Sequence, residues 1–343
     1  MSLMMKEIAE QPEALRRTFE AERGHVREFR RLAGRRFRMI VLVARGTSDN
    51  AALFGRYLLE LTAGIPVVLA APSIYTLYHT HFDLKRTLMI GISQSGESTD
   101  VNRVLHAGHR QGAYTVGITN EARSTMARTV DDVFTVRAGK ERSVAATKTY
   151  TGQLLALYLI ANGLGSAIRL DDVARIPAWA QQALTLENPV RELAAHYRPM
   201  RHAMVVARGL NYASAFEFSL KLMETCYVAA ERFSSADFLH GPIAMVEGGL
   251  PIFLFLPPGP CQPGLAALAR KLRGMHAETV LFTSKEVRLP ISTFVVRIPA
   301  VIPELYTAIP YIIPGQIFAA LLAEAKGINP DRPRFLHKVT RTI

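Results

Sequence analysis

Cysteine is nearly absent: Cys226 and Cys261 are the only two among 343 residues. Two thiols without metal-ligand spacing exclude a secreted disulfide framework and a zinc finger, so a reducing cytoplasm is the expected compartment and no metal site is expected. Acidic residues are also scarce, 29 against 41 lysines and arginines, leaving a net charge of +12. That excess favours an anionic partner, whether phosphorylated metabolite, nucleic acid or membrane surface. Aromatics make up only 8%. No aromatic stripe interleaves with the basic residues, which are scattered and densest from Arg27 to Arg38, so nucleic acid is not an expected partner. Long apolar runs are missing too. The N-terminus is rich in Glu and Arg, and the most apolar C-terminal tract is broken by Pro303, Glu304, Pro310 and Pro314, so no membrane span is expected. What remains is a half-apolar chain that can fill the cores of two soluble domains.

The chain is organised around Leu88 to Arg103. An apolar run, Leu88 to Ile92, reads as a buried strand that stops at Ser93-Gln94-Ser95-Gly96-Glu97-Ser98 before a helical pattern begins near Thr99. Ser93, Ser95 and Ser98 offer hydroxyls, Gly96 permits a tight turn, and a helix start points unpaired N–H groups into the same space. A phosphate uses all of these at once, although serines at such a place also serve simply as helix caps. A second junction of this kind follows the run Met39 to Ala44, where Arg45-Gly46-Thr47-Ser48-Asp49 leads into a helix from about Asn50 to Leu61. Further strands are expected at Pro66 to Ala70, Ala113 to Thr119 and Asp132 to Val136. Strands alternating with helices indicate βαβ units and a parallel sheet, with ligands at the carboxyl ends of the strands. Ahead of them, Met5 to Leu32 reads as a charged helical lead-in with Pro12 at a first turn. Beyond them, Glu141 to Tyr150 opens a long apolar helix to about Leu164, with Ser143 as a possible cap. The polar tract Leu170 to Arg191 suits a connection between domains.

The pattern then recurs. His202 to Gly209 resembles Met39 to Gly46 with the glycines 163 residues apart, and the same offset places Gly96 on Gly259. Two motifs in register argue for duplicated domains, 1–185 and 186–343. Where the first copy has Thr47 and Ser48, the second has Leu210 and Asn211. Where the first has Ser93, Gln94 and Ser95, the second has Leu256, Pro257 and Pro258. Proline has no N–H to offer an anion, so phosphate is expected in the first half only.

Ionisable residues gather in the second half. A helix from about Ser214 to Tyr227 carries Lys221 and Glu224 on one face, either as a solvated ion pair or as a half-buried functional one. Downstream, His240 lies in Leu239-His240-Gly241-Pro242, read as a loop ending in a rigid turn. Lys338 sits on an extended tail, Arg334 to Ile343, where lysines are solvated by default.

Taken together, the hydroxyl loops, Val144-Ala145-Ala146-Thr147-Lys148, Lys221-Leu222-Met223-Glu224, Leu239-His240-Gly241-Pro242 and Leu336-His337-Lys338-Val339-Thr340 resemble the sugar isomerase (SIS) family. The resemblance runs from about Lys6 to the last residues. It is to the tandem-SIS isomerase half of glucosamine-6-phosphate synthase and to the stand-alone SIS-type glucosamine-6-phosphate deaminases. It implies two SIS domains, each a doubly wound, flavodoxin-like α/β sandwich on a parallel sheet. Carried over by position, sugar-phosphate contacts fall on Ser48, Ser93, Gln94, Ser95 and Ser98, with Val144 and Ala146 closing the site. The glutaminase-bearing member has Thr in place of Ser98, Ser in place of Ala146, and a charged residue in place of Leu239. The implied catalytic residues are Lys221, Glu224, His240 and Lys338.

Those residue types suit aldose–ketose isomerisation. An imidazole such as His240 can open the pyranose ring, and a carboxylate such as Glu224 can carry a proton between C1 and C2 with Lys221 beside it. Lys338 can form an imine with an open-chain ketose or position its oxygen. No metal or organic cofactor is required. The SIS pattern begins almost at once, without an N-terminal cysteine nucleophile, so the expected reaction is conversion of glucosamine 6-phosphate to fructose 6-phosphate and ammonia. Related substrates, galactosamine 6-phosphate or a fructosamine phosphate, are alternatives, as is a transaminase-like isomerase served by a separate glutaminase. A non-catalytic sugar-phosphate sensor is the alternative of another class, but the roughly thirty residues ahead of the first strand cannot hold a helix-turn-helix domain. The family also implies a homodimer with shared active sites, in which the His240 segment reaches the neighbour.

Overall fold

The computed structural model describes residues 1–33, 37–287, 293–336 and 338. Part of the basic cluster at 34–36 and most of the tail, 337 and 339–343, lie outside the described residues. Ten strands form two five-stranded sheets: β1 (Met39–Val43), β2 (Val67–Leu69), β3 (Thr87–Ile92), β4 (Tyr114–Thr119) and β5 (Asp132–Thr135) in one, β6 (His202–Ala207), β7 (Ala229–Ser234), β8 (Pro251–Leu256), β9 (Glu278–Ser284) and β10 (Phe294–Ile298) in the other. All pairings are parallel, and the strand orders are β2-β1-β3-β4-β5 and β7-β6-β8-β9-β10. Numbered within its own half, each sheet is 2-1-3-4-5, the flavodoxin-like order of a doubly wound α/β fold. The duplication inferred from two glycines therefore extends to the whole topology.

Parallel strands covered on both faces read as continuous apolar runs, and all six residues of β3 are buried. The helices most deeply set in each half are buried on every side and largely apolar. All sixteen residues of Lys148–Gly163 are buried, as are sixteen of the eighteen in Ala308–Ala325. The latter is long and apolar enough to cross a membrane by length and composition, yet 89% of it is buried against protein, which marks a core helix.

The chain divides into two compact units. The amino-terminal unit holds the first sheet and comprises Glu10–Glu141, Ala146–Arg175 and the tail from Leu336. The carboxy-terminal unit holds the second sheet and comprises Met1–Ala9, Arg142–Ala145 and Ile176–Phe335.

Three local expectations need correction. The helix after β1 spans Thr47–Ala63, so Thr47 and Ser48 form its first turn rather than a preceding loop. Gly46, with φ +58°, makes the corner without any side-chain cap, a backbone state that favours glycine. The helix after Glu141 starts at Lys148, five residues beyond Ser143, with Thr147 at the cap position. His240 is not on an open loop: it ends the short helix Ser235–Leu239.

Candidate active site

In the amino-terminal unit the two hydroxyl junctions lie at the carboxyl ends of neighbouring strands β1 and β3. The loop after β3 is shaped by its own side chains. The Gly96 N–H donates to Ser93 Oγ at 3.1 Å and the Glu97 N–H to Ser95 Oγ at 3.2 Å, and Gly96 holds φ +64°. The Gln94 carbonyl accepts from the Asn120 N–H and, at 3.3 Å, from the Thr119 hydroxyl. Glu97 clamps Thr125 through the latter's N–H and hydroxyl, both at 2.8 Å. Ser98 occupies the cap position of Thr99–Arg110, yet its side chain makes no cap hydrogen bond, so the bland capping role is not realised there. Ser48 accepts from the Gln153 side-chain amide at 3.0 Å, which leaves its hydroxyl proton to donate elsewhere. Sequence reasoning missed the tie between the junctions: Arg45, just before Gly46, donates to Asp100 at 2.7 and 3.1 Å. Asp100 lies in the first turn of the second helix and is 1% exposed. The loop is thus fixed by its own side chains and tied to the neighbouring junction, with three serine hydroxyls and a helix start gathered at one place.

Glu141, also missed, organises the end of the same unit. Its buried carboxylate accepts from the Thr147 N–H at 2.9 Å, the Thr149 N–H at 3.2 Å, the Thr149 hydroxyl at 2.6 Å and Lys338 Nζ at 3.1 Å. Burial alone would raise its pKa, but the Lys338 ammonium and the donors from Thr149 and Thr147 outweigh it and hold the carboxyl below the usual range. The tail lysine is thus docked on a buried partner. Val144 and Ala146 flank this segment, both half-buried, outside any helix or strand.

In the carboxy-terminal unit, the helix Tyr212–Cys226 carries Lys221, which is fully buried. Its ammonium lies 2.6 Å from Glu224 and 3.4 Å from Glu217, a second carboxylate that is itself fully buried. The solvated-pair reading fails: only Glu224 keeps some exposure, 23%. The spacing of Glu217, four residues before Lys221, is a signal the sequence already carried. His240 is exposed, and no hydrogen bond or ion pair joins it to Lys221 or Glu224 among the described residues. Its neighbours Leu239 and Met245 are 46% and 62% exposed.

The second crevice is built differently. Asn211, in the place of Ser48, donates to Thr307 Oγ1 at 2.7 Å and is fully buried. Glu304 fills the corner: a Cβ on Gly259 would fall 2.3 Å from its Oε2, and one on Gly209 would fall 3.7 Å from its Oε1. In the first unit nothing lies within 4 Å of the corresponding point on Gly46.

A profile of the SIS domain family matches residues 35–163 and 196–313. The glutamine–fructose-6-phosphate aminotransferase (isomerizing) of Pyrococcus horikoshii is 35% identical over 344 residues, 98% of this chain and 57% of the relative. The chain thus spans a little over half the length of the curated relatives it matches. The C-terminal domain of glucosamine-fructose-6-phosphate aminotransferase from Francisella tularensis superposes with a TM-score of 0.89 at 28% identity, covering 97% of this chain and 98% of that one. A protein from Silicibacter pomeroyi named as a candidate phosphosugar isomerase gives 0.88 at 30% identity, covering 96% and 100%. With both matched segments coinciding with the two parallel sheets, the chain belongs to the SIS domain family and carries that domain twice.

Proposed function

We propose that this chain is an amino-sugar phosphate isomerase that turns glucosamine 6-phosphate and water into fructose 6-phosphate and ammonia. The observation that carries this reading is the buried Lys221 ammonium between Glu217 and Glu224. Charges are expensive to bury unless paired, and an ion pair retained in an apolar helix is weak support for stability but useful for proton transfer. The serine cradle takes the phosphate. His240 opens the ring by moving a proton from the anomeric hydroxyl to the ring oxygen. Glu224 then removes the proton from C2 and returns it to C1 while an amine proton passes to the C1 oxygen, leaving an imine at C2 and a hydroxyl at C1. Water adds there, ammonia leaves and the ketose remains. Lys221, 2.6 Å away, holds and aims the Glu224 carboxylate. The contact of Lys338 Nζ with Glu141 at 3.1 Å supports a role in positioning the substrate oxygen over one in forming an imine.

One observation favours a second reading. The relatives named as glutamine–fructose-6-phosphate aminotransferases match at up to 35% identity, which suits the same isomerase chemistry run toward the amino sugar with ammonia supplied by a glutaminase. An ammonia-release assay over glucosamine 6-phosphate, galactosamine 6-phosphate and fructosamine phosphates, without glutamine, separates the readings. Release from glucosamine 6-phosphate supports the deaminase. Release only from another member of the panel moves the substrate assignment, and tight binding without conversion favours a sensor.

The exposed His240, beside exposed Leu239 and Met245, also supports a homodimer in which each histidine serves the partner's substrate. Mixing an inactive His240→Ala chain with an inactive Glu224→Gln chain should then restore part of the activity. Verified mixed dimers with no recovery would place each site within one chain.

A further inference from the structure

A pocket of about 670 Å³ in the carboxy-terminal unit has a lining unlike that of the residues discussed above. Arg201, His202, Lys326 and Arg334 converge on it, and no acidic side chain lines it among the described residues. The nearest carboxylate in sequence, Glu324, is turned toward Arg191 at 3.9 Å. Lys326 donates to the Met200 carbonyl at 2.5 Å. Burial, with Arg201 adding repulsion, pulls its pKa below the usual lysine value. Arg201, Lys326 and Arg334 thus share one pocket with no acidic side chain among its described lining residues, an arrangement that suits an anion. The Arg334 guanidinium lies 4.6 Å over the Tyr227 ring, and the Arg334 backbone N–H donates to the Tyr227 hydroxyl at 2.9 Å. Stacking occupies the face of the guanidinium and leaves its N–H edge for a ligand. Cys226, also in the lining, is no nucleophile: it is buried, its thiol donates to the Ala319 carbonyl at 3.1 Å, and burial pushes its pKa up to about 12.

We propose that this pocket is a second anion site that takes a small phosphorylated molecule. Its size lies within the range of small-molecule pockets, and guanidinium forks with an ammonium are the groups that best match phosphate. Tyr227 ends the helix that carries Lys221 and Glu224, in a left-handed conformation with φ +54°. An anion held by Arg334 thus sits at the carboxyl end of that helix, where the basic side chains must outweigh the helix dipole, and its binding can reach Lys221 and Glu224 along the helix. The regulatory consequence rests on the proposed reaction, whereas the binding does not.

Calorimetric titration of the full chain with inorganic phosphate tests the site. Wild type should bind two phosphates per chain, and Ser95→Ala should leave one. Arg201→Ser should weaken that remaining site at least tenfold, and Lys326→Met should do the same, with circular dichroism confirming that each variant folds. A single site that Ser95→Ala leaves intact and Arg201→Ser removes would support this pocket and count against the serine cradle. No binding left in Ser95→Ala, or a remaining site indifferent to both Arg201→Ser and Lys326→Met, would overturn the proposal.

Discussion

At the carboxyl ends of β1 and β3, Gly46 opens onto space and the next loop carries Ser93, Ser95 and Ser98. At the matching ends of β6 and β8, Gly209 and Gly259 face the carboxylate of Glu304, and the loop carries Pro257 and Pro258. The two crevices share a strand order and the left-handed glycine corners, Gly46 and Gly96 in one and Gly209 and Gly259 in the other. What differs is whether the protein supplies donors to the crevice or an acid of its own. Duplication has kept the frame and divided the labour. The first copy has serine hydroxyls at its crevice, with Ser124 against Gly96, and the second has Glu304 against Gly259 and carries the ionisable cluster on the helix that follows β6.

The sharpest way to break this division is Glu224→Gln. Gln keeps shape and hydrogen bonding but removes the base, so turnover should fall about 10²–10⁴-fold, the usual worth of general acid–base catalysis, with little change in substrate binding. Steady-state kinetics and direct binding measured on one preparation decide it; near-normal turnover would remove Glu224 from the mechanism. Next in size are Ser95→Ala and Ser98→Ala. A hydrogen bond to a charged group contributes about 1.5–3 kcal/mol, which corresponds to KM raised roughly 10–100-fold with kcat largely kept. Asn211→Ala, at the second copy's counterpart of Ser48, should leave KM unchanged. Comparable KM effects in the two copies would dissolve the asymmetry.

Much of this frame was legible because it rests on local pattern. Continuous apolar runs marked β1, β3 and β8, and glycines with positive φ marked the corners. The start of Thr47–Ala63 was not legible, because Gly46 makes the turn by backbone conformation and no capping side chain announces it. Lys338 looked solvated because its partner, Glu141, is 197 residues away, a contact that no local pattern encodes. Glu217 was within reach, one helical turn before Lys221. Glu141 and Glu304 are also 163 residues apart. The core helices that follow them begin at Lys148 and Ala308, out of step with that offset.

This pair provides the finest test of the comparison, since the two carboxylates are shifted in opposite directions. Glu141 is held below the ordinary carboxylate range, opposed by burial but won over by Lys338 and the threonine donors. Its contribution to stability is present above the unfolded pKa and is lost as pH falls through the lower folded value. Glu304 is pushed upward by burial. Its ionised form therefore weakens the fold at neutral pH, and that penalty fades as pH falls through the carboxylate range near about 4. Glu141→Gln should thus lower Tm at pH 7 and do so less as the solution is acidified. Glu304→Gln should raise Tm by no more than about 4 °C at pH 7, with the gain vanishing at acid pH. Thermal melts of the two variants and wild type between about pH 2 and 8 give both signs. If Glu304→Gln lowers Tm at pH 7, the carboxylate is being held by donors in the second crevice. It would then stand in for the missing phosphate, and the second cradle would still be a working anion site occupied from within.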